Sequence, residues 1–450
     1  MNSRERVRKA LRFQEPDRVP IDFGGCLCTS ICIDPYVELV KHLGLDLGLP
    51  KVIDQMGMMA RIAEPVRRRM HSDVIELENP FGAWGLENKD WKPWTTGPGN
   101  TVLMPGAFNP IVDEKGYLHV RDAKTGKSLG YMPPGGLYFD RACVTTMSAK
   151  SDEKMSPEQW VATIPLYTDE HLRQLEETAR RIYETTEYSI VGGFLQAMLG
   201  SNGIFAGHTI TDWLCRLLTE PDYAFSLLQA TAERAIENIR VYLQAVGKYI
   251  DTIFMSGTDW GTQKGELISP ATFKELYVPN IKRMTDYVHQ HSDAKTLYHC
   301  CGSIFNLMEH FIEAGVDCLN PIQTTAARMN PVELKKRFGG RIVFWGGGVE
   351  TQTVLPHGKP KEVRAQVKER LRIFAPGGGF IFSHIHDIQY GVPPENMLAM
   401  ADTAWEYGIY PIDIQESDSN SARDAGHRWQ AAPPHSIQNG NRQTFAAKNH

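Results

Sequence analysis

Short apolar runs alternate with stretches of helical spacing along most of the chain. The runs fall at 19–25, 73–77, 188–194, 252–256, 294–299, 317–321, 341–345 and 379–384. Each is of strand length, and most are separated by helix-like stretches. The clearest helix is predicted over 222–246. There Leu228, Ala232, Ala235, Ile236, Ile239, Leu243 and Val246 recur at helical spacing after Pro221-Asp222. A second is predicted over 360–374, with Val363, Val367, Leu371 and Phe374 on one face, and a short amphipathic helix over 3–15.

Strands that alternate with helices call for a parallel sheet. Eight such units favour a closed (β/α)8 TIM barrel over a doubly wound open sheet. The open sheet also lacks its expected strand–GxGxxG–helix unit. Gly346-Gly347-Gly348 and Gly377-Gly378-Gly379 have the wrong spacing for it and read as turns and helix ends.

Two regions break the repeat. Residues 79–160 are rich in Trp, Gly and Pro, with a hairpin-like pair around 122–127. They read as an insertion of strands or loops over the barrel mouth. Residues 416–450 are polar, without apolar period, and read as a disordered tail beyond a barrel spanning 1–415.

With 450 residues and 42% hydrophobic composition, the chain can bury a large core. A net charge of -5 gives no basic surplus for nucleic acid or an anionic membrane. The charged N-terminus has no apolar segment of signal-peptide type, and no apolar run is long enough to span a bilayer. Eight cysteines scattered over this length are no disulfide framework. A cytoplasmic protein with reduced thiols is the expectation, and homodimerisation is one way for barrel helices to cover apolar surface.

The chemistry concentrates at strand ends. In a strand side chains alternate faces, so in Tyr298-His299-Cys300-Cys301-Gly302 the side chains of His299 and Cys301 share a face and Cys300 turns away. A His and a Cys together are half of a soft-metal site, and zinc suits them best. By the same period His384 and His386 share a face at the end of the last strand. His386, nearer the carboxyl end, is the expected third ligand; His384 is then a supporting group, a catalytic group or a substrate contact. Without a metal, the same histidines are simply hydrogen-bonded at the mouth. Asp259, after another strand, is either a catalytic carboxylate or a turn-capping residue. Asn320, Gln323, Trp345 and Gln389 are candidate substrate contacts, with Trp345 equally readable as core. Cys26, Cys28 and Cys32 lack the CxxC knuckle and read as ordinary thiols near the mouth.

Taken in order, several short motifs resemble the superfamily that contains uroporphyrinogen decarboxylase and the corrinoid-dependent methyltransferases. They are Arg4-Glu5-Arg6 through Pro16-Asp17-Arg18-Val19-Pro20, then Gly257-Thr258-Asp259-Trp260-Gly261, and His299-Cys300-Cys301-Gly302. Gly346-Gly347-Gly348 with Thr351 to Leu355, and Val392-Pro393-Pro394-Glu395-Asn396, complete the series, which runs from about residue 3 to about residue 408. True decarboxylases of that superfamily carry an arginine-rich Arg-Gln-Ala-Gly-Arg segment after the first strand to grip a polycarboxylate porphyrinogen. This chain has Phe23-Gly24-Gly25-Cys26-Leu27-Cys28 there, which leaves such charges unpaired.

The methyltransferase branch binds zinc through a His-x-Cys pair and a later Cys. His299 and Cys301 match the pair, while the later position falls on His386. The resemblance therefore implies zinc-assisted methyl transfer between a small methyl ether or thiol and a corrinoid (cobalamin) carried by a partner protein. The alternative it leaves is a metal-free decarboxylase acting on another small carboxylated substrate. There His299 and His386 would serve as acid–base or anion-holding groups and Asp259 would stabilise a developing cation.

Overall fold

The computed structural model describes residues 1–122, 126, 128–141, 154–194, 199 and 205–415. Seven strands form one parallel sheet: β1 (Val74–Leu77), β2 (Ser189–Gly192), β3 (Thr252–Gly257), β4 (Lys295–His299), β5 (Cys318–Asn320), β6 (Val343–Trp345) and β7 (Phe380–Ile381). Their spatial order is their chain order, so each crossover adds a strand beside the last.

The eighth position belongs to residues 19–23. Ile21 bridges Phe382 in parallel, Phe382 N donates to Pro20 O at 2.8 Å, and Asp22 N donates to Phe382 O at 2.8 Å. On the other side Asp73 N donates to Ile21 O at 2.7 Å and Phe23 N to Ser72 Oγ at 3.0 Å. The ring is closed, and the fold is a (β/α)8-type barrel.

Charge fixes the seam. Asp73 is fully buried, with Arg6 Nη1 at 2.7 Å and Arg18 Nη1 and Nη2 at 2.7 and 2.8 Å. It also accepts from Ser3 Oγ and Ile21 N. One carboxylate thus ties the N-terminal helix to the closing segment and to the entry of β1.

The barrel interior is filled by side chains of alternate strand positions, as the period of a strand requires. Val74, Val191, Phe254, Leu297, Cys318, Val343, Trp345 and Ile381 form one buried cluster with Val7, Ala10 and Leu11 of the N-terminal helix. That helix, Ser3–Leu11, starts at Asn2, whose side chain accepts from Glu5 N. It stops short of the predicted residue 15 because Phe13 adopts φ 56°, which no α-helix accommodates. The long helices form at Pro221–Val246 and Pro360–Phe374, with the expected apolar positions inward except Ile236, which is partly buried.

The insertion forms two antiparallel sheets, Lys92–Thr95 with Thr101–Met104, and Ile111–Val112, Leu118–Arg121, Ser128–Met132 and Asp140–Arg141. The expected hairpin is present in the pairing of Leu118–Arg121 with Ser128–Met132, although residues 123–125 and 127 lie outside the described residues. The turn between Ser128–Met132 and Asp140–Arg141 reaches the barrel mouth, where Tyr138 Oη accepts from Tyr390 N at 3.1 Å. The tail expected to be disordered, 416–450, and Cys143 also lie outside the described residues. Among the described residues no helix is long and apolar enough to cross a membrane.

Candidate metal centre at the barrel mouth

His299 is the last residue of β4 and pairs in register with Asn320, the last of β5. Register therefore sets the first contact of the site: His299 Nδ1 lies 2.8 Å from Asn320 Oδ1. Asn320 Nδ2 donates to Trp345 O at 3.1 Å, so the oxygen of the amide is the atom that faces the imidazole. The proton of neutral His299 then sits on Nδ1, and the lone pair of Nε2 faces the mouth. Burial holds the His299 pKa below its ordinary value, against the opposing pull of Asp259, which favours this neutral form.

Cys301 Sγ lies 3.2 Å from that Nε2, and Asp259 Oδ1 lies 3.6 Å from it. Cys300 points the other way, as alternation requires, and its sulfur accepts from Trp260 N at 3.2 Å. The loops behind are locked together. Asp259 Oδ1 accepts from Cys301 N at 2.7 Å, and Gln323 Oε1 accepts from Gly302 N at 2.7 Å. Gly302 has φ 87°, and a Cβ there would lie 2.3 Å from Gly261 C, so only glycine permits the crossing. Burial, reinforced by the Asp259 carboxylate, pushes the Cys301 thiol well up. A cation bound beside it would reverse that preference.

His386 approaches from the last strand end. Its ring centroid is 5.2 Å from that of His299, edge to face. Its Nδ1 is paired with Asp387 Oδ1. Burial disfavours the charged imidazole, but the Asp387 hydrogen bond and charge outweigh it and raise the His386 pKa. Asp387 is held by a second contact, from Cys32 Sγ at 3.4 Å.

Among the described residues, donor atoms around His299 fall into two overlapping sets, each with all atoms within 4.8 Å of one another. One is Asp259, His299 and Cys301; the other is Cys28, His299 and His386. The expected trio of His299, Cys301 and His386 is thus divided between two sets that share His299, and Cys28 joins it. Cys28 had read as an ordinary thiol. It is carried there by the one-turn helix Leu27–Thr29, a feature without a local metal-binding signature.

The donor chemistry fits zinc: imidazole nitrogens and thiol sulfurs, each histidine braced at Nδ1 by an oxygen so that Nε2 is turned to the mouth. Beside them opens a cavity of about 330 Å³, lined among others by Cys301, Gln323, Glu350, Gln352, His386 and Gln389. Among the described residues no Lys or Arg lines it.

The remaining sequence-predicted residues divide. Gln323 and Gln389 line the cavity. Asn320 is fully buried with both amide atoms engaged, so it braces His299 and does not face a substrate. Trp345 is fully buried in the barrel, its Nε1 donating to Asp22 Oδ2 at 2.6 Å, which makes it core and not a stacking wall. His384 is also fully buried and outside the cavity lining. Its Nδ1 pairs with His386 O, and burial pulls its pKa to about 4. It braces the backbone of His386, which fits a supporting group and not a catalytic one. Asp259 holds the Cys301 backbone, and its carboxylate is at once one of the donors grouped with His299 and Cys301.

The family model described as Uroporphyrinogen decarboxylase (URO-D) matches residues 158–407, more than half of the chain. Over 198 residues the chain is 24% identical to the uroporphyrinogen decarboxylase of Thioalkalivibrio sulfidiphilus (strain HL-EbGR7), covering 43% of this chain and 51% of that protein. The chain therefore spans about half the length of the curated relative it matches. Among solved structures, a methyltransferase from Methanosarcina mazei superposes with a TM-score of 0.57 at 16% identity, covering 90% of this chain and 99% of that one. That likeness is one of fold.

Proposed function

The chain belongs to the uroporphyrinogen decarboxylase (URO-D) family, and from that premise we propose that it is a zinc-assisted methyltransferase. It exchanges a methyl group between a small methyl ether or thiol and a corrinoid carried by a partner protein. The observation that carries this reading is the soft donor cluster, with His299 Nε2 turned toward Cys301 Sγ at 3.2 Å by the Asn320 brace. When bound, zinc supplies Lewis acidity, which lowers the pKa of a thiol or polarises an ether oxygen.

The chain's own residues do the rest. His299, Cys301 and His386 hold the ion, Asn320 and Asp387 fix the two imidazoles, and Asp259 fixes the Cys301 backbone. Gln323 and Gln389 offer neutral polar contacts in the cavity, which suits an uncharged substrate. Among the described residues the cavity's lining carries Glu350 and Asp387 and no Lys or Arg, which argues against a polycarboxylate porphyrinogen as substrate. The insertion, reaching the mouth through Tyr138, borders the side from which a corrinoid protein would approach.

The test is a methylcobalamin demethylation and remethylation assay across small thiols and methyl ethers, run beside a uroporphyrinogen decarboxylation assay. Zinc-dependent methyl exchange supports the reading. Decarboxylation in EDTA-treated protein, with no methyl exchange, contradicts it.

A further inference from the structure

The loop after the closing segment is built more carefully than an idle loop requires. Asp22 Oδ1 accepts from Gly25 N at 2.7 Å, Gly24 N donates to Thr29 O at 2.7 Å, and Thr29 N donates to Cys26 O at 3.0 Å. Thr29 is fully buried, and its hydroxyl donates to Cys26 O at 3.2 Å. Asp22 is itself anchored by the Trp345 indole from β6, the next strand but one. This turn presents Cys28 to His299 and His386, with all three donor atoms within 4.8 Å of one another.

The other nearby sulfurs have different duties. Cys300 accepts from Trp260 N, Cys26 packs against the Thr29 hydroxyl at 3.5 Å, and Cys32 donates to Asp387. Among the described residues, Cys28 and Cys301 are the sulfurs grouped with the site's histidines.

We propose that Cys28 is a ligand of the ion at this centre, a second thiolate in addition to Cys301 that joins His299 and His386 from the loop after the closing segment. The inference rests on the metal reading above and adds a donor that the His-x-Cys motif does not contain. Catalytic zinc can take five donors, so a fourth protein ligand does not close the site to a substrate atom. Binding the ion would also tie the loop after the closing segment to the end of neighbouring β7 and, across the ring, to the end of β4.

The test is zinc K-edge X-ray absorption on the purified, zinc-loaded full chain, with zinc affinity measured by chelator competition. The wild type is expected to show two sulfurs at ~2.3 Å, beside nitrogen neighbours. Cys28→Ala is expected to show one, with affinity weakened by at least about 10–100-fold, the loss that follows removal of even a supporting partner. Cys301→Ala is expected to show one sulfur as well. A single sulfur in the wild type, or an unchanged sulfur count in Cys28→Ala, overturns the inference while leaving the zinc reading intact. A wild type that takes up no zinc overturns both. The wild-type measurement does not depend on any variant folding.

Discussion

His299 Nδ1 and Asn320 Oδ1 meet at 2.8 Å because the two residues occupy paired positions at the ends of adjacent strands. The Trp345 carbonyl takes the amide's donor side, so this contact sets which imidazole nitrogen reaches the mouth. Asn320→Ala is therefore expected to weaken zinc affinity roughly 10–100-fold. Chelator competition on folded protein measures it, and an affinity equal to wild type would remove Asn320 from the site.

Asp387 does for His386 what Asn320 does for His299, with a charge in place of an amide. Asp387→Ala is expected to weaken zinc binding by a similar factor of about 10–100. Asp387→Asn is expected to fall between, because it keeps an acceptor for Nδ1 but loses the charge. Affinities equal to wild type in both variants would mean that Asp387 braces the loop and leaves His386 unaffected.

Much of this arrangement is legible from local pattern. Period-two alternation puts His299 and Cys301 on one face and Cys300 on the other, and their contacts follow that division. Helical spacing locates Pro221–Val246 and Pro360–Phe374, since a long amphipathic stripe leaves few alternatives. The brace from Asn320 is not legible, because it depends on the register between two strands. Cys28 is hidden for a related reason. Only closure of the ring brings the loop after residues 19–23 beside His299 and His386. The available hint was its position just past a strand's carboxyl end, where barrels place functional groups. Trp345 and His384 were legible as rim residues, but period alone does not separate a side chain that points inward to the core from one that lines the cavity.

The barrel seam has its own weak point. Asp73→Ala leaves the buried guanidiniums of Arg6 and Arg18 without their shared carboxylate. Removing one partner of a buried pair costs about 3–5 kcal/mol, and that loss is expected in chemical unfolding. A loss below about 1 kcal/mol would mean that the closing segment is held by its backbone bonds and packing alone.

Asp22 gives a pH dependence with a definite sign. Burial pushes its pKa up to about 6, although Trp345 Nε1 and Gly25 N favour the ionised form. The folded protein thus holds this proton more tightly than the unfolded chain, whose carboxyl titrates near ~3.9. The stabilisation is fully present below that value and is lost as pH rises through 6. The stability of wild type minus that of Asp22→Asn is expected to fall by roughly 2–3 kcal/mol between pH 4 and pH 7. Urea unfolding at several pH values measures it, and a difference that is flat or grows with pH would contradict the assignment.

The most direct measurement is the zinc content of the purified full chain, before and after chelation and reconstitution, for wild type, His299→Ala and Cys301→Ala. About one tightly held ion per wild-type chain is expected by the ligand logic of such centres, with loss or marked weakening in both variants. A folded wild-type chain that neither contains zinc nor takes it up on reconstitution would contradict the account.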